Sequence, residues 1–329
     1  MATTKSVLCV HPGAVGDVVL SIPAIAALRR RFMCRVTMAC TARRGVLVRM
    51  AGCADSVIDI DGRGLWRVLA QPCELTQSAL DYLAGFDAAV VWSSSPPDAV
   101  RSVLQRCGIE RVAAAPAVPP SHWSIHASQY YLNTLDVFGV APTLGELRLD
   151  PPENELCWAK TFMPDNSRPA AIIHPGGGSR QKRWPIERFG RVAEWLRETA
   201  GIRIVWMAGP AENIDDVRAV KAEGDIFVND MSLERMAAVI RSGCLYVGND
   251  SGPTHCAAAV GTPTVAMFGP TDPTVWAPVG KHVVVVRGET SCAPCTPETR
   301  RSCESARCMD DIPVETVLDA VRAVVPARS

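Results

Sequence analysis

The chain has 329 residues, 48% of them hydrophobic, and its 34 basic and 34 acidic residues cancel. That length predicts two domains of about 150 residues each rather than one core, and a zero balance argues against broad nucleic-acid binding, which needs a basic field. No apolar run approaches the roughly 18 to 20 residues of a membrane span, and the first residues carry no signal-peptide pattern, so the expectation is a soluble, cytoplasmic protein.

The first half alternates short apolar strands with amphipathic helices. Strands are predicted at 6–10, 35–40, 56–60 and 88–92, and helices at 18–31, 45–51, 64–71 and 76–83. That alternation indicates a parallel sheet covered on both faces. The Ala- and Pro-rich stretch 113–121 reads as a loop, and 128–137 as a further helix. A polar, Pro-containing segment, 150–169, is the best linker. The second half predicts strands at 170–173, 203–207, 226–228, 244–247 and 264–268, with helices at 186–200, 213–221, 233–242, 253–260 and 313–325. The expected division is 1–160, 161–312, and a closing segment 313–329 whose helix packs back on the N-terminal domain.

One pattern occurs twice. Val7-Leu8-Cys9-Val10 runs into His11-Pro12-Gly13, and Ala171-Ile172-Ile173 runs into His174-Pro175-Gly176, about half the chain later. In each copy a buried strand turns through glycine into a helix, which is how a nucleotide-binding α/β domain begins. Two such domains face to face would make a cleft.

The segment densest in chemistry is Val247-Gly248-Asn249-Asp250-Ser251-Gly252-Pro253-Thr254-His255. A buried strand ends, a small polar turn follows, and a helix starts with proline in its first turn, where proline is tolerated best. The N–H groups around Ser251, Gly252 and Thr254 would then form an anion site, with His255 one turn in. A merely capped helix with a buried histidine explains the same residues. The loop from His174 to Pro185 contains Gly176, Gly177 and Gly178, then Ser179, Arg180, Lys182 and Arg183. Glycines allow close approach and the cations suit a diphosphate; the Gly-Lys-Ser/Thr ending of a P-loop is absent. In the first half, Gly16-Asp17 opens a helix. Asp17 serves either as a helix cap or as a general base, ionised at neutral pH. Asp59 and Asp61 form an Asp-x-Asp pattern that reads as a solvated strand end.

Gly16-Asp17-Val18-Val19-Leu20 with Pro23, the His174–Pro185 loop, Met231-Ser232-Leu233-Glu234, and Asp250-Ser251-Gly252-Pro253-Thr254-His255 followed by Phe268-Gly269-Pro270-Thr271-Asp272-Pro273 together resemble the heptosyltransferases of glycosyltransferase family 9. The resemblance covers nearly the whole chain. It implies a GT-B fold, two Rossmann-like domains facing across a central cleft, and an inverting, metal-independent transfer from ADP-L-glycero-β-D-manno-heptose to the lipopolysaccharide inner core. It makes 1–160 the acceptor-binding domain and 161–312 the nucleotide-sugar domain. Asp17 matches the family's base, and Gly16 stands beside it among the donor-site candidates. Ser179, Arg180 and Lys182 fall near the donor phosphates, Glu212 at the ribose and Met231 near the adenine. Asp250 holds the sugar; Ser251, Gly252, Pro253 and His255 line the diphosphate. Ser251 stands where the family often has threonine, and the hydroxyl is kept. Arg43, Arg44, Arg63 and Arg67 are the candidates for an anionic Kdo–lipid A or heptosyl-Kdo–lipid A acceptor, although each reads equally as a surface arginine. The implied enzyme is monomeric and cytoplasmic, peripheral on the inner membrane, with no cofactor beyond its donor. Its rivals are a GT-B transferase for another nucleoside-diphosphate sugar and a non-catalytic nucleotide-sugar-binding module.

Thirteen cysteines is a high count. Most sit in apolar contexts and read as reduced core residues. Cys292, Cys295, Cys303 and Cys308 cluster in sequence, with spacing that suits a structural zinc site. Relatives with similar cysteine groups favour a reduced cluster or adventitious disulfides, so no metal is expected.

Overall fold

The computed structural model describes residues 4–60, 76–163, 168–209 and 214–325. The helix predicted at 64–71 and the candidates Asp61, Arg63, Arg67 and Glu212 lie outside these residues. The chain divides into two compact units, Met1–Leu149 and Asp150–Ser329.

The first unit is a five-stranded parallel sheet. Its strands are β1 (Ser6–Val10), β2 (Arg35–Cys40), β3 (Ser56–Asp59), β4 (Ala88–Ser93) and β5 (Arg111–Pro116), in the order β3-β2-β1-β4-β5. β1 runs parallel to both its neighbours, with Val7 opposite Val36 on one side and Ala88 on the other. Helices α1 (Val15–Phe32), α2 (Ala42–Met50), α3 (Gln77–Leu83), α4 (Pro97–Arg106) and α5 (Ala127–Asn133) provide the crossovers and cover. β1 and β4 are almost wholly buried, as strands covered on both faces must be. Residues 113–116, predicted as loop, belong instead to the edge strand β5. Its alanines are weak strand formers, but Ala88 to Ser93 pair along its whole length, and pairing outweighs propensity.

The second unit is a six-stranded parallel sheet: β6 (Ala170–His174), β7 (Arg203–Ala208), β8 (Ile226–Asn229), β9 (Leu245–Asn249), β10 (Thr264–Phe268) and β11 (Val283–Arg287), in the order β11-β10-β9-β6-β7-β8. This is the doubly wound order, with the chain reversing direction between β6 and β9. The presumed linker contains α6 (Glu153–Phe162), followed by α7 (Ile186–Glu198), α8 (Ile214–Val220), α9 (Leu233–Ser242) and α10 (Gly252–Ala259). α6 docks on α9. Arg235 of α9 pairs with Glu155 at 2.9 Å, and its guanidinium lies 4.2 Å from the centre of the Trp158 ring. Those contacts place the boundary at Leu149–Asp150, before the expected 160–161.

Short α11 (Pro273–Trp276), α12 (Pro297–Ser302) and α13 (Arg307–Asp310) precede the final helix α14 (Val314–Val324). α14 was expected as a separate piece on the N-terminal domain. Its Val317, Leu318 and Val321 enter the second unit's core with Trp184, Phe189 and Val265, and it packs on β10, β11 and α7. Its amphipathic face requires such a partner. Among the described residues no helix is long and apolar enough to cross a membrane.

Candidate active site

At the carboxyl end of β1, His11-Pro12-Gly13 leads into α1. Ala14 is the N-cap and Asp17 occupies the third helical position, where its Oδ2 accepts the Ala14 N–H at 2.8 Å. An alanine N-cap offers no side-chain acceptor, so the carboxylate satisfies that amide from inside the helix. Asp17 is half-buried, and Gly16 precedes it in the first turn. Arg44, from α2, donates to the carbonyls of Pro12 and Gly13 at 2.8 and 2.7 Å. The structure thus brings Asp17 and Arg44 to one turn. Arg43 is exposed, on the same helix.

In the second unit the turns after β6 and β9 meet beside the point where the sheet reverses. Lys182, in a short helical turn Arg180–Lys182, places its Nζ 2.6 Å from Asp250 Oδ2. Asp250 is 5% exposed. Its Oδ2 also accepts from Thr271 Oγ1 at 2.5 Å, and His255 Nε2 lies 3.8 Å from Oδ1. Burial opposes ionisation here, but His255 and the charge of Lys182 outweigh it, so the carboxyl is held well below the usual carboxylate range. Next door, Asn249 clamps the glycine loop. Its Nδ2 donates to the carbonyls of Pro175 and Gly176 at 2.7 and 3.1 Å, and its Oδ1 accepts the Trp184 N–H at 3.1 Å. Trp184 is itself buried on Phe189, ring centres 5.0 Å apart, and donates to the Ile312 carbonyl at 3.0 Å. The cationic turn therefore rests on the core.

Ser251 is the N-cap of α10, and Pro253 lies in the first turn as expected. One expected donor is corrected: the Thr254 N–H goes to the Ser251 carbonyl at 3.1 Å. Thr254 Oγ1 donates to the Asn249 carbonyl and lies 3.0 Å from Ser251 Oγ. Ser179 Oγ and His255 Nδ1 are buried without a hydrogen-bond partner among the described residues. Buried polar atoms in that condition suit a polar ligand. Arg180 is exposed and Arg183 half-buried. Met231 precedes Ser232, the N-cap of α9.

Thr271 and Asn249 lay within motifs visible in the sequence, yet their contacts with Asp250 and the glycine loop appear only in the folded unit. Asp59 sits exposed at the end of the edge strand β3, two strands from β1. Cys292 is exposed, Cys295 and Cys303 are half-buried and Cys308 is buried. Among the described residues no three His, Cys, Asp or Glu are grouped to hold a metal ion.

Two Rossmann-like domains, each carrying its polar residues at the carboxyl ends of the strands, define the GT-B class. A solved family 9 glycosyltransferase from Veillonella parvula shares the fold, with a TM-score of 0.79 over 99% of this chain and 98% of that one at 21% identity. Escherichia coli ADP-heptose lipopolysaccharide heptosyltransferase II does so with a TM-score of 0.73, covering 98% of both chains at 18% identity. The model of glycosyltransferase family 9 (heptosyltransferase) matches residues 129–304, and the chain belongs to that family. Pseudomonas aeruginosa lipopolysaccharide heptosyltransferase 1 is 28% identical over 185 residues, 55% of this chain and 50% of that protein. In its match to that relative the chain spans about half of the relative's length.

Proposed function

We propose that the chain transfers heptose from ADP-L-glycero-β-D-manno-heptose to the lipopolysaccharide inner core, by an inverting single displacement that uses no metal ion. The acceptor is the Kdo–lipid A core or its heptosyl derivative, and the enzyme works as a monomer at the cytoplasmic surface of the inner membrane. Family membership and the names of the matched relatives support the donor and the acceptor class. The observation that carries the reading is the Lys182–Asp250 pair beside the orphaned Ser179 Oγ and His255 Nδ1. It combines a cation for a diphosphate, a buried carboxylate for sugar hydroxyls, and polar atoms awaiting partners.

In the reaction, Asp17 takes the proton of the acceptor hydroxyl as its oxygen bonds to the anomeric carbon. The bond from that carbon to the diphosphate breaks and ADP leaves. Lys182, with Arg180 and Arg183, meets the growing charge, aided by the start of α10. Arg44, held at the Asp17 turn by two carbonyls, faces the acidic groups of the acceptor.

Asp17→Asn tests the assignment. It keeps an oxygen for the Ala14 amide but cannot take a proton. ADP release from the heptose donor should fall by about two or more orders of magnitude, with ADP affinity by calorimetry unchanged. Near-normal turnover would reduce Asp17 to a helix-capping residue.

A further inference from the structure

His11, the residue after β1, is wholly buried. Its Nδ1 accepts the Gly13 N–H at 3.1 Å, so the ring is neutral with its proton on Nε2. Nε2 has no hydrogen-bond partner among the described residues. The ring is wedged between Trp92 of β4 and Tyr131 of α5, with centres 5.6 and 5.4 Å away. Those rings are themselves fixed. Trp92 Nε1 donates to Thr134 Oγ1 at 3.0 Å, and the Tyr131 hydroxyl donates to the Ala117 carbonyl at 2.8 Å.

The other side of the imidazole meets Gly13. A Cβ placed on Gly13 would lie 2.5 Å from His11 Cε1, 2.8 Å from Nδ1 and 2.9 Å from Asp17 Cβ. Only glycine fits between the two side chains. The turn is thus pinned at successive atoms: Gly13 N–H by His11, the Pro12 and Gly13 carbonyls by Arg44, and Ala14 N–H by Asp17 Oδ2.

We infer that His11 is a positioning residue for Asp17, an uncharged strut beneath Gly13 that sets where the turn, and with it the carboxylate, stands relative to the acceptor hydroxyl. The inference rests on Asp17 being the base. Displacing a reacting group by about an ångström costs on the order of a hundredfold in rate, so a strut beneath the turn that carries the base matters without touching substrate. It acts on the proton-transfer step and leaves donor binding alone, since the donor groups lie in the other unit.

The test compares His11→Phe, which keeps a ring but cannot accept the Gly13 N–H, with His11→Asn, whose amide oxygen stands near the Nδ1 position. His11→Phe should lower kcat by about tenfold to a hundredfold, leaving donor KM and ADP affinity unchanged. His11→Asn should recover most of that loss. In an Asp17→Asn background His11→Phe should add little, because a strut for a missing base has nothing to position. If His11→Phe fails to fold by circular dichroism, His11→Leu, which also lacks an acceptor, takes its place. Unchanged kcat, an Asn variant no better than Phe, or equal losses in both backgrounds would each overturn the inference while leaving Asp17 as base. A fully active Asp17→Asn enzyme would overturn both.

Discussion

Lys182 and Asp250 have each surrendered most of their water, with side chains 20% and 6% exposed. Lys182→Ala would leave Asp250 buried with Thr271 and His255 but without its cation. In the proposed donor site a diphosphate would exchange with Asp250 for Lys182, so only part of the about 1.5–3 kcal/mol of a charge-assisted contact appears as affinity. ADP affinity should fall by up to roughly tenfold, read by calorimetry, and unchanged affinity would remove Lys182 from the donor site. His11 offers a second measurement at this scale. Burial, with the nearby charge of Arg44, pushes its imidazole from 6.5 down to about 3. The folded-state value lies below the unfolded one, so the stability tied to neutral His11 is complete above about pH 6.5 and lost as pH falls toward 3. Over that window the wild type should lose up to about 1.4 kcal/mol per pH unit that His11→Asn does not. Parallel urea curves for the two proteins would contradict this. Lys182 and Asp250 were legible in the sequence because glycine turns and apolar strands announce where such residues stand. His11 was visible only as half of a repeated triplet: Trp92 and Tyr131, which give it a role, are distant in the chain.

Short strands that carry several large apolar residues, such as β1, β6 and β7, could be read directly. β5 could not, because alanine carries no strand signal and Pro116 ends it; its partner β4 creates it. β11 is a run of four valines without the alternation of a half-buried strand. α6 was hidden by prolines on either side and by a polar surface. What makes it a helix in the fold is Trp158, stacked on Phe162 at 5.1 Å and covered by Arg235. Trp158→Ala should therefore destabilise the protein by about 1–2 kcal/mol, measured by chemical denaturation. No change would mean that α6 docks through its smaller residues, Ala159 foremost.

The two units repeat one topology, and each places a glycine turn after its innermost first strand. The turns differ in charge: an aspartate in the first, arginines and a lysine in the second. In the proposed displacement this separates proton removal from leaving-group stabilisation. The second role is filled by fixed cations in the proposed displacement, so excess EDTA should leave transfer intact. Loss of activity at an unchanged melting temperature, restored by Mg²⁺ or Mn²⁺, would sink the metal-free reaction. Joint loss of activity and folding with stoichiometric zinc would instead assign a structural ion to the four clustered cysteines.

The ion pair of the second unit also changes what donor binding means thermodynamically. Lys182 already has an anion in Asp250, so in the proposed donor site an arriving diphosphate would not neutralise an idle charge. It enters as a competitor, and the ammonium exchanges one counter-ion for another. Only the difference between the two contacts appears as affinity. In the proposed reaction the same carboxylate would compete for the lysine again once the sugar has gone and so favour release of ADP.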